Sequence, residues 1–167
     1  MKENKISHAG APASAALQCK TNPLQRILVV EDDPDIRRLN TEVLADSGYQ
    51  VDAAEDGVAA WQALNTSSYD LLITDHHMPV VTGLELIKKL RAKDKMMPVI
   101  LVSGSLPPEE LEQRPWLQIQ ATLVKPYTLA ELFKTVKEVL GATSDAREQN
   151  ALPLNWQRLP PSVGAPY

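Results

Sequence analysis

The sequence predicts an α/β fold, a five-stranded parallel sheet covered by helices on both faces, and three observations carry that expectation. Short apolar runs recur five times through the middle of the chain, segments of helical period separate them, and chemically distinct polar residues follow four of the five runs. Strand and helix in strict alternation imply right-handed crossovers, which place helices on both faces of a parallel sheet.

The apolar runs are Ile27 to Val30, Val51 to Ala54, Leu71 to Thr74, Val99 to Val102 and Ala121 to Val124, each bounded by polar or turn residues. Runs of this length without polar alternation fit strands buried on both faces. The first helix puts Ile36, Leu39, Val43 and Leu44 on one face and ends at Gly48, with Asp33 as its cap and Pro34 in its first turn, where a missing N–H costs nothing. Asp56 to Leu64 and Leu84 to Leu90 supply the second and third helices. A fourth, short helix is expected between Pro107 and Leu117, because Pro115 interrupts it. The last carries an apolar stripe of Leu129, Leu132, Phe133, Val136, Val139 and Leu140 behind a Thr128–Glu131 capping box. Trp61 and Trp116 read as partly buried helix residues rather than as a binding platform.

At 167 residues, 44% hydrophobic and 23% charged, the chain fits one packed domain with flanking segments. The expected division is a leader over 1–25, a regular domain over 26–141 and a proline-bearing tail over 142–167 with no separate effector domain. The tail's Leu152, Leu154, Trp156 and Leu159 sit among Pro153, Pro160 and Pro161, a composition suited to extended docking or to a loose end. A net charge of −4 argues against direct nucleic-acid binding, which needs clustered cations. No run approaches the roughly 18 apolar residues of a membrane span, and the leader is too weakly apolar for an export signal. With a single cysteine, Cys19, and no internal disulfide, a cytoplasmic location is expected.

In an open parallel sheet, ligands bind beyond the carboxyl ends of the strands. Glu31-Asp32-Asp33 follow the first run, Asp75 the third, Ser103 the fourth and Lys125-Pro126 the fifth. Carboxylates about 4 Å apart repel by several kcal/mol at a protein surface, and a hard divalent cation with oxygen ligands relieves that repulsion. Mg²⁺ is the natural candidate, and His76 with His77 alone makes a poor zinc site. A free oxygen of Asp75 is then placed to attack phosphorus, with Lys125 and Ser103 neutralising the transferred group. Singly, Asp33 reads as a helix cap, and Glu31, Asp32, Ser103 and Lys125 as surface or turn residues; only their joint placement favours chemistry. A serine hydrolase built on Ser103 is excluded because Val102-Ser-Gly-Ser105 lacks the two-glycine nucleophile elbow.

Four segments together, Ile27-Leu-Val-Val-Glu-Asp-Asp-Pro34, Asp70-Leu-Leu-Ile-Thr-Asp-His-His-Met-Pro79 with Gly83, Val102-Ser-Gly104 and Val124-Lys-Pro-Tyr127, resemble the receiver domains of bacterial two-component response regulators. The resemblance implies a flavodoxin-like sheet of order 2-1-3-4-5 with five helices, phosphorylation of Asp75, and Mg²⁺ held by Glu31, Asp32, Asp75 and the His77 carbonyl. It further implies Ser103 and Lys125 on the phosphoryl oxygens and a cis Lys125–Pro126 peptide. Chemistry would be limited to self-phosphorylation and autodephosphorylation on the aspartate. The implied donor is a histidine kinase or a histidine phosphotransfer protein. The implied output is altered protein binding, or a possible homodimer, through the face of the fourth helix, fifth strand and fifth helix. At His77, similar domains tune attack by water on the acyl phosphate. One departure stands out: the position three before the lysine, usually Tyr or Phe, is Thr122, so an aromatic rotamer switch is not expected. The leading expectation is a stand-alone response regulator; the alternatives are a phosphorylation-independent interaction module and a receiver cut from a hybrid histidine kinase.

Overall fold

The structure is a computed structural model, and it describes residues 24–105 and 114–151, with side chains to residue 143. Five strands, β1 (Arg26–Val30), β2 (Gln50–Ala54), β3 (Leu71–Asp75), β4 (Val99–Ser103) and β5 (Ala121–Val124), form one parallel sheet in the order β2-β1-β3-β4-β5. Helices α1 (Pro34–Asp46), α2 (Gly57–Thr66), α3 (Gly83–Arg91) and α4 (Leu129–Ala151) connect and cover it. The apolar runs lie on these strands, and the first, second, third and last of the expected helical segments lie on these helices.

β1, past Arg26, and all of β3 and β4 are buried because each face has its own cover. Leu28, Val30, Leu72 and Leu101 point to one side and pack with Ala60, Leu64, Leu84 and Leu90 of α2 and α3. Ile27, Val29, Ile73 and Val102 point to the other side and meet Leu44 of α1 with Leu132, Val136 and Leu140 of α4. Burying each of these Leu, Ile and Val side chains contributes about 1.5–3 kcal/mol, which places the energetic centre of the fold on β1, β3 and β4. β2 and β5 are the two edge strands, and Val124 of β5 is 65% exposed.

Local signals set the helix boundaries. Asp33 Oδ1 accepts from the N–H groups of Asp35 and Ile36, Asp56 does the same for Val58 and Ala59, and Thr82 pairs with Glu85 in a capping box. Thr128 and Glu131 form the expected box, the Thr128 N–H donating to Glu131 at 2.7 Å and Thr128 Oγ1 accepting from the Glu131 N–H at 3.2 Å. The last helix runs to Ala151, past the expected limit at Gly141.

Two expectations need correction. Leu39 does not belong to the buried face of α1; it is 47% exposed, and Asn40 with Leu44 fills the buried positions. Trp116 sits on a single 3-10 turn, Pro115–Leu117, and is 52% exposed, whereas Trp61 packs against the core as expected. That turn is the described part of the expected fourth helix; 106–113 lie outside the described residues, as do Cys19, most of the leader and the tail anchors Leu152 to Leu159. Arg91, only 7% exposed, ties the turn to α3: its guanidinium donates to the carbonyls of Leu117, Gln118, Lys95 and Met97. Four carbonyl acceptors satisfy the buried cation, although burial lowers its pKa.

Val80, in the loop between β3 and α3, has a φ of 66° and is 85% exposed, while the flanking Val81 N–H donates to the Pro79 carbonyl at 2.7 Å. A β-branched residue is a genuine outlier in this region, where Asn is tolerated. Val80→Asn should therefore raise the unfolding free energy by about 1 kcal/mol, because no packing is lost at so open a position. Urea denaturation would measure it, and an unchanged or lower midpoint would count against strain at this turn.

Candidate functional site

The parallel register brings the strand ends into line. Val30 pairs with Thr74, Asp75 with Val102, and Ser103 with Val124, so Glu31, Asp75, Ser103 and Lys125 all emerge at one edge of the sheet. The loops are tied to that edge by backbone bonds from His76 to the Val102 carbonyl, 2.8 Å, and from Lys125 to the Ser103 carbonyl, 2.9 Å.

Ligand oxygens of Glu31, Asp32 and Asp75 lie within 4.8 Å of one another, two of the residues buried and Asp32 exposed. The Lys125 ammonium bridges the buried pair, 2.6 Å from Asp75 Oδ2 and 2.9 and 3.2 Å from the Glu31 oxygens. Burial, reinforced by the charge of Asp75, pushes the Glu31 carboxyl above its usual range despite Lys125. For Lys125, burial opposes the charged form, but the hydrogen bonds to Asp75 and Glu31 outweigh it and hold the ammonium above its ordinary pKa.

One ammonium against three carboxylates leaves two negative charges uncompensated in a half-sealed site. A divalent cation matches that deficit, and an all-oxygen donor set suits a hard ion. No histidine joins the cluster among the described residues.

His77 presents its backbone to Asp75, its N–H donating to Oδ1 at 3.2 Å, while its ring is exposed and packs edge to face with His76, centroids 4.4 Å apart. Ser103 ends β4, 1% exposed, its hydroxyl accepting from the Ser105 N–H at 3.3 Å. Of the residues singled out in the sequence, Glu31, Asp32, Asp75 and Lys125 are thus brought into one cluster, with His77 against it through the main chain. Ser103 stands at the neighbouring strand end. Thr122 is exposed on β5, opposite Leu101. The Lys125–Pro126 peptide is cis.

Several supports were not read from the sequence. Arg37 Nη1 donates to the carbonyls of Glu31, 2.7 Å, and Asp32, 3.1 Å, fixing the acidic turn onto α1. Asn40 Nδ2 donates to the Tyr127 hydroxyl at 2.8 Å. Gly83 lets α3 begin hard against the strand end: a Cβ there would lie 2.2 Å from the Asp75 carbonyl oxygen. A polar residue in the buried phase of α1, one turn before Leu44, was the available signal for Asn40.

Comparison with known proteins agrees with this geometry. Residues 27–137 match the family model for the response regulator receiver domain. The chain is 37% identical over 123 residues to the chemotaxis protein CheY homolog of Campylobacter jejuni, covering 71% of this chain and 95% of that one. It is 35% identical over 115 residues to the probable transcriptional regulatory protein SilR of Salmonella typhimurium, covering 69% of this chain but spanning only 50% of that relative. Among solved structures, the response regulator protein TrrA of Thermotoga maritima in complex with Mg²⁺ and BeF superposes with a TM-score of 0.61 at 35% identity, over 70% of this chain and 99% of that one.

Proposed function

The chain belongs to the response regulator receiver family of two-component systems, and from that premise we propose that it takes a phosphoryl group onto Asp75 and signals through altered protein binding. The single observation that carries this is the Lys125 ammonium held between two buried carboxylates at the sheet edge. Such a group is kept where anionic charge develops, a placement that surface lysines do not need.

In the transfer, a carboxylate oxygen of Asp75 attacks phosphorus and the bond from phosphorus to the donor breaks. A phosphohistidine nitrogen leaves with the electron pair and is then protonated. The carboxylates of Glu31, Asp32 and Asp75, with the His77 carbonyl, would hold Mg²⁺, which would supply neutralisation of the phosphoryl charge. Lys125 is placed to pair with a phosphoryl oxygen when Asp75 gives up its charge to the new bond, and Ser103 offers a hydroxyl from the adjacent strand end. The donor is a histidine kinase or a histidine phosphotransfer protein. Its output surface is the open flank of β5, where Thr122 and Val124 are exposed, with α4 and the segment before β5. With threonine in place of the usual aromatic, the signal passes through Ser103 and the loop after it, a two-state repacking rather than a ring rotation.

The test is incubation with acetyl phosphate with and without Mg²⁺, followed by intact mass and peptide mapping. One phosphoryl adduct, on the peptide containing Asp75 and lost when EDTA is present from the start, is the expected result. A native, folded chain that gains no mass with Mg²⁺ present would leave only a phosphorylation-independent interaction module.

A further inference from the structure

Helix α1 touches both halves of the site, at two positions one turn apart. From its first turns, Arg37 reaches back to the carbonyls of Glu31 and Asp32. From the next turn, Asn40, 3% exposed, donates to the Tyr127 hydroxyl across 87 residues of sequence. Tyr127 stands two residues after Lys125, in the loop that delivers the ammonium to Asp75.

The surroundings give this second link its weight. Asn40 and Tyr127 line a groove of about 440 Å³ whose other walls include Ile36, Leu39, Pro126 and Leu129, together with Lys125. In apolar surroundings a hydrogen bond is electrostatically stronger than in water, and an amide deprived of its partner is costly. Burial raises the Tyr127 phenol pKa, opposed by the hydrogen bond from Asn40.

We propose that Asn40 and Tyr127 are a positioning pair that holds the Lys125 loop against α1, while Arg37 separately holds the acidic turn, so that one helix aligns the ammonium and the cation-binding carboxylates through independent contacts. This deepens the reading of Asp75 as phosphoryl acceptor and rests on it. Neither residue of the pair touches the reacting atoms; they act through Lys125, whose displacement by a fraction of an ångström weakens charge neutralisation in the transfer.

The two contacts predict separable losses. Tyr127→Phe, which removes one oxygen, and Asn40→Leu should each slow acetyl phosphate-driven phosphorylation about tenfold at saturating Mg²⁺, with Mg²⁺ bound no more weakly than by the native chain, because a displaced ammonium competes less for Glu31 and Asp75. Arg37→Met should act on the other half of the site, weakening Mg²⁺ about fivefold or more. The double variant Asn40→Leu with Tyr127→Phe should lose no more rate than either single change, because both remove the same link. Thermal unfolding of every variant, run alongside, separates slowed transfer from lost fold. Native rates in both single variants, a parallel fall in Mg²⁺ affinity, multiplicative losses in the double variant, or losses that track the unfolded fraction would each overturn the positioning role. The parent reading fails differently: the native chain itself would then take no phosphoryl group.

Discussion

Asp75→Asn should gain no phosphoryl mass under conditions that fully modify the native chain, and it should also lose most of the stabilisation that Mg²⁺ confers. The first effect follows from the nucleophile: a neutral amide neither attacks phosphorus usefully nor leaves an acyl phosphate. The second follows from the cluster, in which Asp75 is one of three carboxylates within reach of a common cation. At a Mg²⁺ concentration about 100 times the dissociation constant, binding to the folded state alone adds about 2.7 kcal/mol, and a site reduced to Glu31 and Asp32 forfeits most of that. Without Mg²⁺ the balance is different. Asp75 accepts from Lys125 at 2.6 Å but also adds to the burial that pushes the Glu31 carboxyl up, so removing its charge loses one ion-pair partner and relieves one repulsion. Native chain and variant should then unfold within about 1 kcal/mol of each other, because Lys125 keeps Glu31 as its partner and no buried charge is left unpaired. Urea titrations at zero and saturating Mg²⁺, read beside intact mass, check all of this. A variant that still acquires phosphate, or keeps the full Mg²⁺ increment, would remove Asp75 from the centre of the site.

The parts of this arrangement that the sequence reveals are those enforced by topology. Once five apolar runs alternate with helices, parallel pairing must bring the residues after them to one edge, and Glu31, Asp32, Asp75 and Lys125 need no further information to meet. The caps at Asp33 and Thr128 are equally local, each a side chain bonding within three residues. What stayed hidden depends on partners distant in sequence. The apolar count on α1 favours Leu39 as a core residue, yet the helix is rotated so that Asn40 is inside, because its amide has Tyr127 to meet. Arg91, after two lysines, reads as another solvated cation on α3. Its burial becomes tolerable through four carbonyls, two of them those of Leu117 and Gln118, more than 25 residues later. Val80 is a third kind of case: nothing in its sequence neighbourhood announces a left-handed valine, a conformation imposed where the chain must turn between β3 and α3.

Gly83→Ala puts two physical arguments in direct opposition, and the structure decides between them. Gly83 is the first residue of α3, so intrinsic propensity alone gives alanine an advantage approaching ~1 kcal/mol. The added Cβ would, however, lie 2.2 Å from the Asp75 carbonyl oxygen, 3.0 Å from its carbon and 3.2 Å from His76 Cα. All three are main-chain atoms of the strand end and the residue after it, so no side-chain rotation relieves the contact. The Gly83 N–H also donates to the His76 carbonyl at 3.1 Å, so moving α3 away stretches the bond that closes this loop. The net result should be a loss of about 2–4 kcal/mol, at the upper end of overpacking costs. Gly57→Ala, whose Cβ would meet Val81, mainly at its side chain and in a loop, should cost less. Because the strained atoms belong to Asp75 and His76, phosphoryl uptake in Gly83→Ala should fall even at temperatures where the variant is fully folded. Urea denaturation and acetyl phosphate uptake at low temperature test the two halves. A stabilised Gly83→Ala would mean that helix propensity prevails and that α3 is not pressed against the end of β3.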